Sequence, residues 1–374
     1  MIAHVTTAHP RTDTRIRLKE VNTLCKNRSE MVRLYVQDGL GNEIDPLGVS
    51  VIDTGPPLPR LWRASIGCVR MFAALRRDRA RVVHFHDPEF LPWGVILRIF
   101  GVEVVYDAHE DLPRQVSHSR AIPRWLRPLA GYLASGVEWF CARWFSAIVA
   151  ATPEIQERFG HDRAVLIRNF PIAGELAADA HVAVSSRPEE FAYVGSIGID
   201  RSSTQIIKAL ELLGRPVRLN IAGSFPIGAE YKAARREPGW SFVNHLGEQS
   251  RSEVAAMFAR SRAGLVLFQP LPNNVAGRPN KLFEYMSAGL PVIASDFPRW
   301  REIVESAKCG LLVDPRNPSE IASAMAWVLD NPDEAEAMGH RGRDAILDSY
   351  SWESEARTLV DLYKRLDSRT GGDN

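Results

Sequence analysis

Residues 277–295 read GRPNKLFEYMSAGLPVIAS and place a helix directly before a buried strand. Pro279 suits the first turn of a helix, and Gly289 followed by Pro291 ends that helix and opens the strand. The strand itself, 291–295, is a short apolar run without a polar face, as expected when helices cover both sides of a sheet. This unit therefore predicts an α/β domain built on a parallel sheet.

The same alternation of apolar runs and amphipathic segments extends along the chain in two series. Strand-like runs of the first series lie at 2–7, 32–37, 49–53, 82–86, 102–107 and 147–151. Helical patterns separate several of them, at 15–25, 62–76 and 88–100. Runs of the second series lie at 191–197, 217–222, 241–246, 264–268, 291–295 and 310–313. Both series predict doubly wound parallel sheets, whose ligands bind beyond the carboxyl ends of the strands.

The length of 374 residues also favours two domains, because one hydrophobic core rarely organises so long a chain. We predict an N-terminal domain at 1–172, a linker at 173–190 and a C-terminal domain at 191–351. The final helical segment, 352–374, is a candidate to cross back to the first domain. The two sheets are expected to face each other across a cleft that holds the ligand site.

Composition and charge exclude several protein classes. The four cysteines are scattered without paired spacing, which argues against a disulfide framework or a structural zinc site and fits a reducing cytoplasm. The sequence shows neither a signal peptide nor an apolar run long enough to span a bilayer. Residues 1–168 carry a net positive charge and the remainder a net negative charge, so the first half is expected to meet something anionic. The basic residues accompany no nucleic-acid recognition module, and no such partner is expected.

Lys281 and Glu284 lie one helical turn apart near the start of the helix in the opening segment. A helix that begins near Arg278 directs its free amides and the positive end of its dipole at an anion. Lys281 adds a charge that is unfavourable there unless an anion neutralises it. The carboxylate of Glu284 can accept paired hydrogen bonds from the vicinal hydroxyls of a ribose. On spacing alone, a solvated Lys281–Glu284 ion pair remains the alternative.

The segment GRPNKLFEYMSAGLPVIASDFPRWREIVE resembles the donor-binding segment of the family 4 (group 1) retaining glycosyltransferases, especially those that assemble bacterial capsule, exopolysaccharide and lipopolysaccharide. The likeness extends over nearly the whole chain. It implies the GT-B fold, with two Rossmann-like domains, an acceptor-binding first domain and a nucleotide-sugar-binding second domain. It further implies a hexosyltransferase that uses neither cofactor nor metal. A UDP-sugar is the favoured donor and a GDP-sugar the second, and the acceptor is a saccharide or a lipid-linked saccharide.

On the donor side, the resemblance implies that Glu284 holds the ribose and that Arg201 and Lys281 are catalytic cations on the diphosphate. Ala276 stands where the family usually carries a glutamate that contacts the transferred sugar, so Asn273, Asn274 or backbone amides are candidates to replace it. Ser196 stands where relatives usually have an arginine. The remaining predicted donor-binding residues lie in loops or at the helix start: Gly195, Gly247, Arg278 and Asn280.

In the first domain, 82–88 reads VVHFHDP and the next strand ends in YDAHEDLP. The resemblance assigns to His109 a catalytic position that faces the donor phosphate and the transferred sugar. His84 and His86 share one face of their strand; metal ligation is possible in principle, but no third ligand stands at a recognisable spacing, so structural or substrate hydrogen bonding is favoured. Glu110 is assigned to the acceptor side. Asp111 is equally consistent with a helix cap.

The first strand opens into AHPRTDTRIRLKE, a dense polar cluster in place of the glycine-rich loop of many relatives. We interpret this cluster as an acceptor-side or donor-phosphate surface; an N-cap by Asp13 is the simpler alternative. The predicted acceptor-side residues are His9, Arg11, Asp13, Arg15, His86 and Glu110, and Lys19 lies beside them.

Residues 60–80 and 114–145 are basic, amphipathic and rich in aromatic side chains. Such helices lie at anionic membrane surfaces, although most stripes of this kind in a doubly wound domain pack on the sheet. Membrane contact at the inner face of the cytoplasmic membrane is therefore a hypothesis. Two other functions stay open: a catalytically silent nucleotide-sugar-binding protein, which Ser196 and Ala276 allow, and a nucleotide-sugar epimerase.

Overall fold

The computed structural model describes residues 1–45, 48–109, 111–117, 122–176 and 182–370, with the backbone alone at 276, 369 and 370. The chain divides into two compact units. The first comprises Met1–Asn169 together with Glu353–Asn374, and the second comprises Phe170–Trp352.

The first unit is built on a twisted, mainly parallel sheet. Its strands are β1 (Ile2–Val5), β2 (Val32–Val36), β3 (Glu43–Ile44), β4 (Ser50–Asp53), β5 (Val82–Phe85), β6 (Glu103–Ala108), β7 (Ala147–Ala150) and β8 (Ala164–Leu166). They are arranged in the order β3-β4-β2-β1-β5-β6-β7-β8. The short strand β3 pairs antiparallel with β4, and the other neighbours pair parallel.

Helices cover both faces of this sheet. They span Thr14–Val21 and Arg63–Gly67, which are π-helical, and Asn22–Asn27, Arg60–Trp62, Cys68–Arg77, Leu91–Ile99, Leu112–Ser117, Arg127–Ala142, Pro153–Phe159 and Trp352–Thr370. Successive residues of a strand face opposite sides, so Ala3 and Val5 enter an apolar core while His4 is buried on the other face. His4 stands in register with His84 of the adjacent strand.

The second unit contains a parallel sheet of its own. Its strands are β9 (Glu190–Val194), β10 (Arg218–Ala222), β11 (Val243–Gly247), β12 (Ala263–Val266), β13 (Val292–Ser295) and β14 (Gly310–Val313), arranged in the order β11-β10-β9-β12-β13-β14. Its helices span Ser203–Leu213, Gly228–Ala234, Arg251–Arg260, Pro272–Ala276, Asn280–Ser287, Pro298–Ala307, Pro318–Asp330 and Pro332–Ser349. Phe191 and Tyr193 pack into one core, and Ala192 packs into the core on the opposite face.

Local sequence signals start several of these helices. Ser250 and Glu253 form a capping box at Arg251–Arg260. Thr152 caps Pro153–Phe159 by accepting from the amide of Ile155, and Asn317 caps Pro318–Asp330. These caps satisfy backbone donors that the first turn of a helix leaves unpaired.

The two predicted doubly wound sheets are confirmed. Three local features differ from the sequence prediction. Sequence periodicity missed β3 and β8, because strands of two or three residues are too short to show alternation. The stretch expected as a linker, 173–190, contributes buried side chains of Leu176 and Val184 to the cores of the second unit. The helix expected to begin near Arg278 begins at Asn280, with Pro279 immediately before it.

Candidate functional site

Each sheet has one position at which the strand order reverses. In the first sheet the chain leaves β1 to one side through β2 and to the other through β5, and in the second it does so at β9, between β10 and β12. Crevices at the carboxyl ends of such strands are the usual ligand sites of open parallel sheets.

A tight glycine loop follows β9 in the second unit. Gly195 has φ +91°, which strains any residue with a side chain, and its amide donates to the carbonyl of Ala222 at 2.7 Å. A Cβ placed on Gly223 would lie 2.2 Å from the carbonyl oxygen of Gly195, so the two loops touch through their backbones. Ser196 is exposed, and its carbonyl accepts from the Tyr193 hydroxyl at 3.1 Å. The predicted phosphate-facing loop is thus tight enough for a ligand to approach its backbone.

Two cations converge beside this loop. Lys281 Nζ donates to the Tyr193 hydroxyl at 3.1 Å and lies 4.1 Å from the centroid of that ring. The guanidinium of Arg201 stacks 3.8 Å from the Phe268 ring, which is also 5.2 Å from Lys281 Nζ. Burial, assisted by the charge of Arg201, lowers the pKa of Lys281 to about 7. Within the described residues neither cation forms an ion pair with a carboxylate, so the pair is available to an anion.

Glu284 is held by Arg251 rather than by Lys281. Its Oε1 accepts from Arg251 Nη1 at 2.8 Å, and Arg251 also binds Glu175 through two bonds of 2.9 and 2.8 Å. The solvated Lys281–Glu284 pair, left open by the sequence, does not form. Instead the carboxylate of Glu284 is fixed in direction while Lys281 turns toward the glycine loop.

The other predicted donor-side residues occupy varied positions. Arg278 and Asn280 are exposed at the start of the helix, and the Trp300 indole donates to the Gly277 carbonyl at 2.7 Å, which holds that start in place. Gly247 ends β11, and its carbonyl accepts from the Gly223 amide at 2.7 Å. Ala276 ends the short helix Pro272–Ala276.

Asn273 and Asn274, the candidate replacements for the missing glutamate, differ in their surroundings. Asn273 is exposed, whereas the Asn274 side chain accepts from Arg201 at 2.7 Å and donates to the Gln269 carbonyl at 2.8 Å. Asn274 therefore orients Arg201. Among the described residues, no side-chain hydrogen bond engages Asn273.

Asp107 is the centre of a buried polar network in the first unit. It accepts from Arg15 Nε and Nη2 at 2.9 and 2.7 Å, from His86 Nδ1 at 2.9 Å, and lies 3.3 Å from His109 Nδ1. Burial alone disfavours the carboxylate, but the charges of Arg15 and His109 hold the pKa of Asp107 well below its ordinary value. Burial also opposes protonation of His109, yet Asp107 outweighs it and raises the pKa of His109.

His9 and His109 meet at the end of this network. Their Nε2 atoms are 3.3 Å apart, and His9 also lies 3.5 Å from Asp13 and 3.6 Å from Asp87. Asp13 accepts from the amide of Ile16 at 2.9 Å, so it caps the first helix, as the simpler alternative held. Although burial disfavours its charge, the bond to His9 lowers the pKa of Asp13 to about 2.

Three predicted acceptor-side residues point into the protein. Arg15 and His86 are buried around Asp107, so they orient other groups rather than meet a substrate. Arg11 binds Asp38 at 2.7 Å and Glu43 at 3.0 Å and is also buried. Polar side chains next to strand ends look alike in sequence, and only packing separates those that face inward.

The remaining polar residues of this edge also have defined places. Lys19 Nζ donates to the Asn169 side chain at 2.6 Å. Asp111 accepts from the Arg114 amide at 3.3 Å, in keeping with the capping role. Glu110 lies outside the described residues.

A pocket of about 590 Å³ opens beside His9 in the first unit. Its polar wall includes Asp87 and Glu89, which lie two and four residues after the end of β5 and were not predicted as site residues. Asp87 accepts from the Thr6 hydroxyl and the Thr7 amide at 2.8 and 2.7 Å. The rest of the lining mixes cations and apolar groups: Ala8, Arg60, Arg63, Ala64, Pro88, Leu91, Leu112, Gln115, Leu133, Ala134 and Val137.

Solved structures with the same architecture are glycosyltransferases of the GT-B class. Sucrose-phosphate synthase from Thermosynechococcus elongatus aligns with a TM-score of 0.76 at 17% identity, covering 98% of this chain and 99% of the other. Anabaena Alr3699/HepE in complex with UDP-glucose aligns with a TM-score of 0.73 at 14% identity, covering 97% and 99%. At these identities the likeness establishes the fold.

The family follows from the sequence matches. Residues 178–345 match the model of the glycosyl transferases group 1, and residues 20–169 match that of a glycosyl transferase 4-like domain. The chain belongs to the group 1 glycosyltransferases of family 4, and it is an enzyme of that kind.

Curated relatives act on several sugars. An MMP alpha-(1->4)-mannosyltransferase from Mycolicibacterium hassiacum is 24% identical, over 84% of this chain and 77% of its own length. The D-rhamnosyltransferase WbpZ from Pseudomonas aeruginosa is 25% identical, over 74% and 71%. A GDP-mannose-dependent alpha-(1-6)-phosphatidylinositol monomannoside mannosyltransferase from Mycobacterium tuberculosis is 34% identical over 31% of this chain and 29% of its own.

Proposed function

We propose that this glycosyltransferase moves a hexose, with retention and without a metal, from a nucleoside diphosphate sugar to a saccharide or lipid-linked saccharide during bacterial surface polysaccharide assembly. A UDP-sugar is the favoured donor and a GDP-sugar the second. The observation that carries the proposal is the pair Arg201 and Lys281. Two cations that lie beside a glycine loop at a strand-order reversal, without a carboxylate partner among the described residues, form a site for a diphosphate.

The reaction needs charge stabilisation more than a nucleophile. As the sugar leaves, negative charge builds on the diphosphate, and fixed cations in a partly buried site stabilise that charge. Arg201 provides a planar donor fork suited to phosphate, and Lys281 provides a compact charge. Removing one such charge-assisted contact costs about 1.5–3 kcal/mol, or on the order of 10- to 150-fold in rate or affinity.

Retention fits a front-face displacement in which the leaving oxygen itself takes the acceptor proton. We therefore assign no protein base. His109 is proposed to orient the sugar and the phosphate, with Asp107 holding its ring. Glu284, fixed by Arg251, is proposed to bind the two hydroxyls of the ribose.

We propose that the acceptor binds in the pocket beside His9. Arg60 on its wall suits an anionic group such as the phosphate of a lipid-linked saccharide, while Arg63 is paired with Glu89. Leu133 and Val137 suit an apolar segment. The phosphatidylinositol mannoside enzyme among the relatives is one that acts on a lipid, which supports this class of acceptor.

The apolar face beside this pocket supports docking on an anionic membrane. Trp125 is 79% exposed and Tyr132 is 78% exposed, and Trp139 and Phe140 of the same helical region are more than half exposed. Such aromatic side chains next to arginines favour the interface of an anionic bilayer. No helix of the described residues is long and apolar enough to cross a membrane. From the exposed aromatic side chains we propose a peripheral protein at the inner face of the cytoplasmic membrane.

Calorimetry tests the donor site directly. The purified protein is titrated with UDP, GDP, ADP and dTDP without added metal, alongside Glu284→Ala and the exposed control Glu334→Ala. We expect one nucleotide to bind selectively, with affinity lost in Glu284→Ala and kept in the control. If a folded protein binds none of the four nucleotides, the donor-site assignment is wrong.

Turnover then separates transfer from the two alternatives. A transferase consumes the matching nucleotide sugar when a lipid-linked acceptor is present and hydrolyses it slowly otherwise. An epimerase turns the donor over without an acceptor. A silent binding protein binds the donor and gives neither product.

A further inference from the structure

A buried cluster of three histidines and one glutamate lies at the carboxyl ends of β1 and β5 in the first unit. His4 Nδ1, His84 Nε2 and His86 Nε2 lie 3.9, 3.8 and 4.0 Å from the same oxygen, Oε2 of Glu20. His4 Nδ1 and His86 Nε2 are 3.1 Å apart. One carboxylate oxygen and three imidazole nitrogens thus face a common point.

His4 Nδ1 and His86 Nε2 are within hydrogen-bond distance of each other, and the other polar atoms at this point lack partners. Both carboxylate oxygens of Glu20 and Nε2 of His84 are buried and make no hydrogen bond within the described chain. Arg15 Nε lies 3.2 Å from Oε1 of Glu20 and also donates to Asp107. A fully buried carboxylate without hydrogen bonds is costly unless something else satisfies it, and a metal ion does so.

The far sides of the rings are already engaged. His84 Nδ1 lies 3.0 Å from the Tyr363 hydroxyl, and His86 Nδ1 lies 2.9 Å from Asp107 Oδ2. His4 Nε2 lies 3.4 Å from the same tyrosine hydroxyl. Histidines that bind a metal through one nitrogen characteristically bond a carboxylate or another polar group through the other. Each of the three rings shows that arrangement.

We propose that the first unit holds a divalent transition-metal ion, best fitted by Zn²⁺, between His4 Nδ1, His84 Nε2, His86 Nε2 and Glu20 Oε2. A tetrahedral zinc ion with ligands at about 2.0–2.1 Å places neighbouring ligand atoms about 3.4 Å apart. The three distances to Glu20 Oε2 and the His4–His86 separation span 3.1–4.0 Å and bracket that value. Imidazole nitrogens favour zinc and its neighbours over Mg²⁺ or Ca²⁺, which require oxygen ligands.

The ion would serve structure rather than chemistry. All four ligands are buried, so no position is left open for a substrate, as in structural zinc sites. It would fasten two strands to the π-helical stretch Thr14–Val21, and through Tyr363 to the helix Trp352–Thr370. By fixing His86 it would also fix Asp107, and with it the ring of His109. The transfer step proposed above stays free of metal at the diphosphate.

The first test is the metal content of the full chain, expressed without a histidine tag and purified without added metal. We expect about one zinc ion per chain, retained through dialysis and removed by a strong chelator. Readdition of Zn²⁺ to the stripped protein should restore one tight site and raise Tm. A folded protein that contains no transition metal and takes up none from micromolar Zn²⁺ would overturn the proposal and leave a neutral buried network in its place.

Variants then locate the ion. Glu20→Gln and His84→Asn should lose zinc, whereas His340→Gln, an exposed histidine beside Glu336, should keep it. Tyr363→Phe keeps all four ligands and should weaken zinc affinity about 10- to 100-fold by removing an outer hydrogen bond. If all variants retain zinc as the native chain does, an ion is bound elsewhere and this site is wrong.

A spectroscopic measurement is independent of any variant that fails to fold. Co²⁺ substituted into the stripped native chain should show the intense visible bands of tetrahedral coordination, and X-ray absorption of the zinc form should show nitrogen and oxygen neighbours only. Octahedral Co²⁺ bands would contradict the four-ligand site. Nucleotide calorimetry on the same samples reports on the second unit, so failure of the metal site and failure of the donor site are distinguishable.

Discussion

Lys281 should couple nucleotide binding to proton uptake. In the free protein, burial and Arg201 lower the pKa of Lys281 to about 7. A bound diphosphate places negative charge beside the ammonium and must raise this pKa again. Because the pKa of Lys281 is higher in the complex than in the free protein, binding takes up a proton. Nucleotide affinity is therefore highest below pH 7 and falls as the pH rises above 7.

The expected proton uptake and loss of affinity follow from the titration of one group, Lys281. At pH 7 the free lysine is half protonated, so binding takes up about 0.5 proton; at pH 8 it takes up about 0.9. Affinity should fall about 15-fold between pH 7 and pH 8.5. The terminal phosphate of the nucleotide, with a pKa near 6, is already ionised over most of this range.

Calorimetry in buffers of different ionisation enthalpy measures the proton uptake. The native chain is compared with Lys281→Arg, whose guanidinium does not titrate, and with Lys208→Arg, an exposed lysine of the helix Ser203–Leu213. We expect linkage in the native chain and the Lys208 control, and none in Lys281→Arg. Equal proton uptake at pH 7 and pH 8, or uptake that survives Lys281→Arg, would refute the reasoning.

Three further changes test other parts of the molecule. Arg201→Met should weaken nucleotide binding on the order of 10- to 150-fold, measured by calorimetry, since it removes one charge-assisted contact. Gly223→Ala should lower Tm and abolish binding, because its Cβ would lie 2.2 Å from the Gly195 carbonyl oxygen, whereas Gly228→Ala meets nothing within 4 Å and should be tolerated. The double variant Trp125→Ser, Tyr132→Ser should reduce co-sedimentation with anionic vesicles while calorimetric nucleotide affinity stays unchanged.

Each of these three predictions can be contradicted by a specific result. Native affinity in Arg201→Met would remove that arginine from the donor site. A Gly223→Ala protein as stable as the native chain would mean that the two glycine loops are not in close contact. Vesicle binding that is unaffected by the double variant, or by the content of anionic lipid, would count against membrane docking through this face.

Much of the fold could be predicted from sequence because it depends on local patterns. Apolar runs without a polar face indicate strands buried on both sides, and glycine and proline mark where helices end, as in the segment around Gly289. The two sheets and most strands were identified on that basis. The short strands β3 and β8 carry no such pattern. Two side chains of the expected linker, Leu176 and Val184, lie in cores, and so few buried side chains leave little trace in composition.

Residue type and spacing also indicated the donor side. Lys281 at the start of a helix and glycines after a strand predict an anion site for electrostatic reasons that need no coordinates. Only tertiary structure decided that Glu284 pairs with Arg251, whose partner Glu175 lies far away in sequence. Long-range ion pairs of this kind leave no local signal.

The first unit shows most clearly what sequence alone cannot predict. The sequence established that His84 and His86 share one face of a strand, and spacing then offered no third ligand. The ligand set emerges only when β1 pairs with β5 and a helix packs on both, since this brings His4 and Glu20 to the same point. Periodicity along one element is a local property that sequence alone determines, whereas convergence of several elements depends on how sheets and helices pack.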